Sequence, residues 1–155
     1  MLENTRLISF RDITDSIIKK DCGHLVPIEA ESDIPFLVKR IYYIYGVDGY
    51  TRRGFHSHRA LQQVLICVHG SVKISLKAPY AEEVIVSLDS PTTGLYIGPM
   101  IWREMYDFSP DAVLLVLASE HYTEQDYIRD YSTYQQEAWV YFKNLSLIQE
   151  DGKEN

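Results

Sequence analysis

The stretch Arg53-Gly54-Phe55-His56-Ser57-His58-Arg59-Ala60-Leu61-Gln62-Gln63, with the apolar run 64–68 behind it, decides how the chain is to be read. In an extended segment alternate side chains share a face, so His56 and His58 turn both imidazoles to one side. Arg53 and Arg59 flank them. Such a pair can bind a metal, move protons or fill a core, and the surrounding sequence has to choose.

Outward from this stretch the chain is a series of short β-prone runs separated by turn residues. Strands are expected at 7–10, 23–28, 36–45, 63–68, 72–76, 84–88, 95–97, 101–108 and 112–119. Pro27 places the second at an edge or a bulge. In the third, Phe36, Val38, Arg40, Tyr42 and Ile44 share one face and Leu37, Lys39, Ile41, Tyr43 and Tyr45 the other. Both faces are largely apolar, which predicts a strand between two layers. His69-Gly70-Ser71 and Ser109-Pro110-Asp111 each read as the turn of a hairpin. A polar connection occupies 12–20. After Ser119 the pattern changes: Thr123-Glu124-Gln125-Asp126 has the look of a capping box. Tyr127, Ile128, Tyr131, Tyr134 and Gln135 then recur at helical spacing. The expectation is an all-β antiparallel sandwich or barrel over about 5–120, with one helix over about 124–142 on its outside, in a single domain spanning 1–155. Residues 151–155 are expected to fray.

Composition excludes several classes. The chain has 155 residues and a net charge of −7, with no basic run to neutralise a nucleic-acid backbone. A few arginines in one pocket could still hold a small phosphorylated ligand. Cys22 and Cys67 form no CxxC, as in a reducing cytosol. No apolar window is long enough to span a bilayer and the amino terminus lacks a signal-type core, so a cytoplasmic protein is expected. The twelve tyrosines suit strands and can supply hydroxyls to a polar cavity.

The segment 54–70 resembles the first cupin motif, with a glycine, His-x-His, a position that is usually acidic, six residues and a closing Gly70. Gly94, Pro99 and Glu104 resemble the second. Metal cupins use two histidines, a carboxylate and a third histidine. Here Gln63 stands at the carboxylate position and Glu104 at that of the third histidine. A site of His56, His58 and Glu104 could hold iron or zinc, but the usual ligand set is incomplete, and no metal is expected. Imidazoles titrate near neutrality, and two on one cavity suit proton transfer beside a carbonyl.

Three groups of residues carry a closer likeness. The first comprises Lys39-Arg40-Ile41-Tyr42-Tyr43-Ile44, the His56/His58 stretch and Gln63-Val64-Leu65. The second comprises Gly94-Leu95-Tyr96-Ile97-Gly98-Pro99, Trp102 and 113–119. The third is Asp126-Tyr127-Ile128-Arg129-Asp130-Tyr131. Over about 5–135 the chain resembles the nucleotide-sugar 3,4-ketoisomerases, which are similar in fold to the dimeric jelly-roll 3,5-epimerase of rhamnose synthesis. The resemblance implies an antiparallel jelly-roll (cupin) barrel, a homodimer and no metal or organic cofactor. It also implies a dTDP-linked 4-keto-6-deoxyglucose converted to its 3-keto isomer through an enediol, on the way to 3-amino-3,6-dideoxy sugars. Two positions depart from the family pattern: Arg103 stands where a histidine often follows the tryptophan, and the loop 77–83 is poor in glycine.

Moving the ketone from C4 to C3 needs a base near C3 and donors for the developing oxyanion. His58 is assigned as base and His56 as acid or oxyanion donor, with the reverse order also open. Arg40 and Tyr42 share a strand face and could reach sugar or diphosphate. Arg53 is a second diphosphate candidate. Gln63 could orient a histidine or a sugar hydroxyl. Trp102 could stack on the thymine base or fill a core, and Glu104 shares its face. The rival from another class is a cupin that binds a sugar nucleotide without catalysis; a metal-dependent cupin enzyme is the further alternative. Neither the C4 configuration of the product nor the role of Arg103 is fixed by the sequence.

Overall fold

The structure, a computed structural model, describes residues 1–14 and 23–151. Most of the expected connection 12–20, together with Cys22 and the end of the tail, lies outside the described residues. The elements in chain order are β1 (Thr5–Ser9), β2 (Arg40–Tyr45), β3 (Arg53–His58), β4 (Gln63–His69), β5 (Val72–Lys77) and β6 (Val84–Leu88). Then come β7 (Thr93–Ile97), β8 (Trp102–Tyr106), β9 (Val113–Ala118), a 3₁₀ turn (Glu124–Asp126), β10 (Tyr127–Ile128) and α1 (Tyr131–Asp151).

The strands form two five-stranded antiparallel sheets, ordered β1-β7-β4-β9-β2 and β10-β3-β8-β5-β6. This is the jelly-roll, cupin-like architecture expected, with one carboxy-terminal helix. Leu65, Cys67, Leu95, Ile97, Leu114 and Val116 of the first sheet face Ile74, Leu76, Leu88 and Met105 of the second, all of them buried. Burial of a large aliphatic side chain stabilises the fold by about 1.5–3 kcal/mol.

Neither of the two expected hairpins at His69-Gly70-Ser71 and Ser109-Pro110-Asp111 forms. β4 pairs with β7 and β9, whereas β5 pairs with β6 and β8. At both turns the chain crosses from one sheet to the other. The two crossings are packed together: Ser71 N–H donates to Ser109 Oγ, and Ser109 N–H to the Ser71 carbonyl. Gly70 (φ +70) is the contact point, since a Cβ there would lie 2.8 Å from Ala112 Cα. The hairpin that does form joins β5 to β6 through the loop around Pro79. Turn chemistry marks a reversal but not the partner, and jelly-roll reversals mostly switch sheets.

The segment 23–28 is not a strand. It crosses the outer face of the first sheet, where Val26 and Ile28 pack with Phe10, Ile34 and Phe36 over Val64, Ile66 and Leu117 in a second apolar cluster. The strand expected at 36–45 begins only at Arg40, and it is an edge strand, not a layer between layers. The cover supplied by Phe10 and by 26–38 stops short of it, so Ile41, Tyr43 and Tyr45 remain 62%, 63% and 70% exposed.

The expected helix starts later and runs further. Thr123 makes no side-chain cap for the 3₁₀ turn, and Tyr127-Ile128 pairs with Ser57-His58. The operative cap is Asp130, whose Oδ1 accepts from Thr133 N–H and Oγ1–H. Tyr134, Ala138 and Phe142, four residues apart, form the buried stripe of α1.

Candidate active site

The β3 strand carries a bulge. Arg53 stands opposite Met105 and Gly54 opposite Glu104, but His56 stands opposite Arg103, so Phe55 is the extra residue. Gly54 (φ +94) and Phe55 (φ +53) take the left-handed conformations this needs. A Cβ on Gly54 would lie 2.7 Å from the Arg103 carbonyl oxygen, so only glycine fits. In a regular strand Arg53 and His56 would point to opposite faces. The bulge resets the alternation and puts both on the face that looks into the sandwich.

There, a cavity of about 350 Å³ is lined by Arg40, Tyr42, Ile44, Arg53, Gly54, His56, Met105, Tyr127 and Arg129. The His56 ring meets that of His58 edge-on at 4.9 Å, and Tyr127 lies 5.0 Å and 4.3 Å from the two. His58 is sealed behind His56, with no exposed surface. Its Nδ1 lies 2.9 Å from Asp126 Oδ2, and the other oxygen of Asp126 accepts from the Ala60 N–H.

Burial, and then the Arg103 guanidinium, hold His56 down at about 4 from its ordinary 6.5. The same two causes, in the same order, lower His58 further, with His56 itself third. Both rings are therefore neutral at pH 7. The proton on His58 sits on Nδ1, facing the carboxylate, and Nε2 is left as an acceptor.

Beside the pair, Arg103 is fully buried, and desolvation lowers it to about 10, still charged at neutrality. Its Nε, Nη1 and Nη2 make no hydrogen bond, nor do His56 Nδ1, His58 Nε2 and Arg40 Nε. Buried polar atoms are seldom left so, and a cluster of them marks a place built for a polar ligand. Tyr42, its hydroxyl raised above the ordinary range by burial, accepts from Gln63 Nε2 at 2.8 Å. Arg40 lies over the Tyr42 ring.

Of the residues singled out in the sequence, the structure brings Arg40, Tyr42, Arg53 and His56 to the cavity wall, His58 directly behind it, and Gln63 behind Tyr42. Trp102 and Glu104 are not brought there. They occupy the other face of β8 from Arg103, because strand side chains alternate. Trp102 is buried under α1 against Tyr131 and Tyr134. Burial alone would raise the Glu104 carboxyl, but hydrogen bonds from Lys77 and Arg52 outweigh it and hold it low. The metal set His56, His58 and Glu104 is thus not assembled. Among the described residues no three histidine, cysteine or acidic side chains converge to hold an ion.

Asp126, Tyr127 and Arg129 were missed as site residues. They lie in the Asp-Tyr-Ile-Arg-Asp-Tyr segment, whose helical spacing concealed a strand that pairs with the histidines.

Residues 3–139 match the family described as FdtA: WxcM-like, C-terminal. The chain belongs to that family. It is 44% identical over 149 residues, 96% of this chain and 99% of the other, to the TDP-4-oxo-6-deoxy-alpha-D-glucose-3,4-oxoisomerase of Aneurinibacillus thermoaerophilus. The sugar 3,4-ketoisomerase QdtA of Thermoanaerobacterium thermosaccharolyticum, solved with TDP, is 56% identical with a TM-score of 0.85, over 92% of this chain and 99% of that one. A histidine-to-asparagine variant of QdtA, solved with TDP-4-keto-6-deoxyglucose, has a TM-score of 0.83 over 89% of this chain and 96% of that one. This FdtA-like chain shares their jelly-roll fold. No helix among its described residues is long and apolar enough to cross a membrane.

Proposed function

We infer that the protein is a 3,4-ketoisomerase acting on TDP-4-keto-6-deoxyglucose. The observation that carries this is the convergence of two neutral buried imidazoles and an unpaired buried guanidinium beside an arginine-lined cavity. The names of the relatives agree with it.

The sequence placed the base at His58. The cavity wall favours the other order, since His56 lines it and His58 is sealed behind. His56 takes the C3 proton of the 4-keto sugar and an enediolate forms. The proton returns at C4 while the hydroxyl proton passes from O3 to O4, so the ketone ends at C3 with no net redox change. Arg103 supplies the fixed positive charge that stabilises the oxyanion and, after burial, is the second cause that keeps both imidazoles unprotonated. His58, fixed by Asp126, is the second proton-transfer group. Arg40, Arg53 and Arg129 are the diphosphate contacts, where a guanidinium can bind two oxygens at once. No step needs a metal, a resident cofactor or an external oxidant.

The exposed Ile41, Tyr43 and Tyr45 on an edge strand support a homodimer. A cytoplasmic location and a product destined for transamination at C3 complete the proposal.

The decisive test is exchange. TDP-4-keto-6-deoxyglucose incubated in D2O with the protein should gain deuterium and yield a 3-keto product by NMR, whose C4 configuration the same spectra assign. A chain that binds the sugar nucleotide yet gives no exchange above buffer is a binding module instead.

A further inference from the structure

Beyond the cavity, Arg59 makes a set of contacts that the reaction scheme above does not use. Its Nε and Nη2 donate to the two oxygens of Glu137 on α1, at 2.8 Å and 2.7 Å. Its Nη1 donates to the carbonyls of Gln125 and Tyr127, at 2.6 Å and 3.1 Å. Those carbonyls flank Asp126 on either side. The backbone N–H of Arg59 donates to the Asp126 carbonyl between them, at 2.9 Å. The next N–H, that of Ala60, holds the Asp126 carboxylate.

Three consecutive carbonyls and one carboxylate of the 125–127 turn are therefore held by Arg59 and its neighbour. The carboxylate oxygen left over is the one that meets His58. A half-exposed ion pair on its own contributes little. This one is different in geometry, because the planar fork of one guanidinium spans the helix and the turn at once, which a lysine cannot do.

We propose that Arg59, braced by Glu137, is a positioning residue that fixes the ring orientation and tautomer of His58 through Asp126. Helix α1 then serves the reaction without touching substrate: it supplies the anchor that keeps the turn from drifting. This rests on the ketoisomerase reading for its effect on rate, but the effect on the tautomer stands independently of any substrate.

Two measurements on Arg59→Met, Arg59→Lys and Glu137→Gln, all in the full chain, test it. The first is long-range 15N–1H NMR of the ligand-free protein, which reports which nitrogen of His58 carries the proton. The wild type should show Nδ1–H alone, and Arg59→Met should show a mixture with Nε2–H. The second is steady-state turnover. The Arg59→Met variant should lose roughly ten- to a hundredfold in kcat with KM within about threefold, as for a displaced catalytic geometry. Arg59→Lys should rescue little of that loss, and Glu137→Gln should lose less. Introduced into Asp126→Asn, Arg59→Met should cost nothing further, because the two act along one path.

An unchanged His58 tautomer in both Arg59→Met and Glu137→Gln overturns the proposal, as does a full additive loss in the double variant. A wild type that shows Nδ1–H but no isomerisation overturns the functional assignment and leaves the positioning role standing on the NMR result.

Discussion

His58 Nδ1 and Asp126 Oδ2 lie 2.9 Å apart, although the two residues are 68 positions apart in the chain. The contact is made because β10, only two residues long, adds to the edge of β3 and carries Asp126 to the back of the imidazole. An aspartate there accepts from Nδ1–H and leaves Nε2 free. An asparagine could donate to Nδ1 and favour the opposite tautomer. Asp126→Asn is therefore expected to retain the fold and lower kcat by roughly 10²- to 10⁴-fold, the range known for carboxylates that orient a histidine. Turnover measured beside a TDP-binding isotherm checks this; a variant with full turnover would refute the role.

The pH dependence follows from the lowered imidazoles. Because His56 is held at about 4, turnover should stay constant as pH falls through 6.5 and decline only as it approaches 4. Stability has its own sign. Above about pH 6.5 the histidine is neutral both folded and unfolded. Below that the unfolded chain takes up a proton that the folded chain refuses, and stability falls until about pH 4. The loss from His56 is about 3 kcal/mol at most. Kinetic profiles and denaturant titrations across this window would show both, and a kinetic acid limb near 6.5 would contradict the neutral-pair assignment.

Arg103 sets stability against activity. An unpaired buried guanidinium carries a desolvation penalty that no hydrogen bond in the protein offsets and that the charge of nearby Asp126 offsets only in part. Replacing it with methionine of similar length should stabilise the fold by about 1–3 kcal/mol. The same change should raise His56 toward 6.5 and abolish measurable isomerisation. Denaturant midpoints and a histidine NMR titration provide the readouts. A destabilised Arg103→Met would mean that the guanidinium has partners in the free protein.

Gly54→Ala should cost about 1–3 kcal/mol, the usual toll of a side chain at positive φ, and the close approach to the Arg103 carbonyl adds to it. Its folded fraction should show weaker TDP binding as well as slower exchange, because Arg53 and His56 both hang from the bulge. Loss of one function without the other would show that the strand face is set elsewhere.

The edge face of β2 gives a test of assembly. Tyr43→Lys, which puts a charge amid Ile41, Tyr43 and Tyr45, should convert a dimer to a monomer in light scattering. An unchanged mass would place any interface elsewhere.

The sequence made the strand series and the paired histidines legible, because period-two alternation and turn residues are local signals. Sheet membership was not legible. The pairing of β4 with β7 and β9, and not with β5, depends on which crossing packs against which, a relation between Gly70 and Ala112 that no window contains. The bulge was missed for a related reason: a glycine before a histidine motif looks like any loop glycine until its partner strand is known. Trp102 was drawn toward the site by the family resemblance and Glu104 by standing at the position of the third cupin histidine, and strand alternation then placed both on the face of β8 away from Arg103. Asp126 was hidden because tyrosines at 127, 131 and 134 mimic a helix that in fact starts only at 131. The resemblance contained the segment, but the periodicity suggested the wrong element for its first part.

One residue's worth of extra chain at Phe55 has a consequence for how this protein can vary. Arg53 and His56 are three positions apart, an odd spacing that a regular strand would split between its two faces, and the bulge absorbs the odd residue. Deleting Phe55 would leave Arg53 opposite Met105, Gly54 opposite Glu104 and His56 opposite Arg103 in an ordinary ladder, with both side chains still on one face. Straightening the strand with Phe55 retained would put the two out of phase. The strand thus behaves like a reading frame, and homologues one residue shorter there should keep anion contact and proton transfer together on a strand without a bulge.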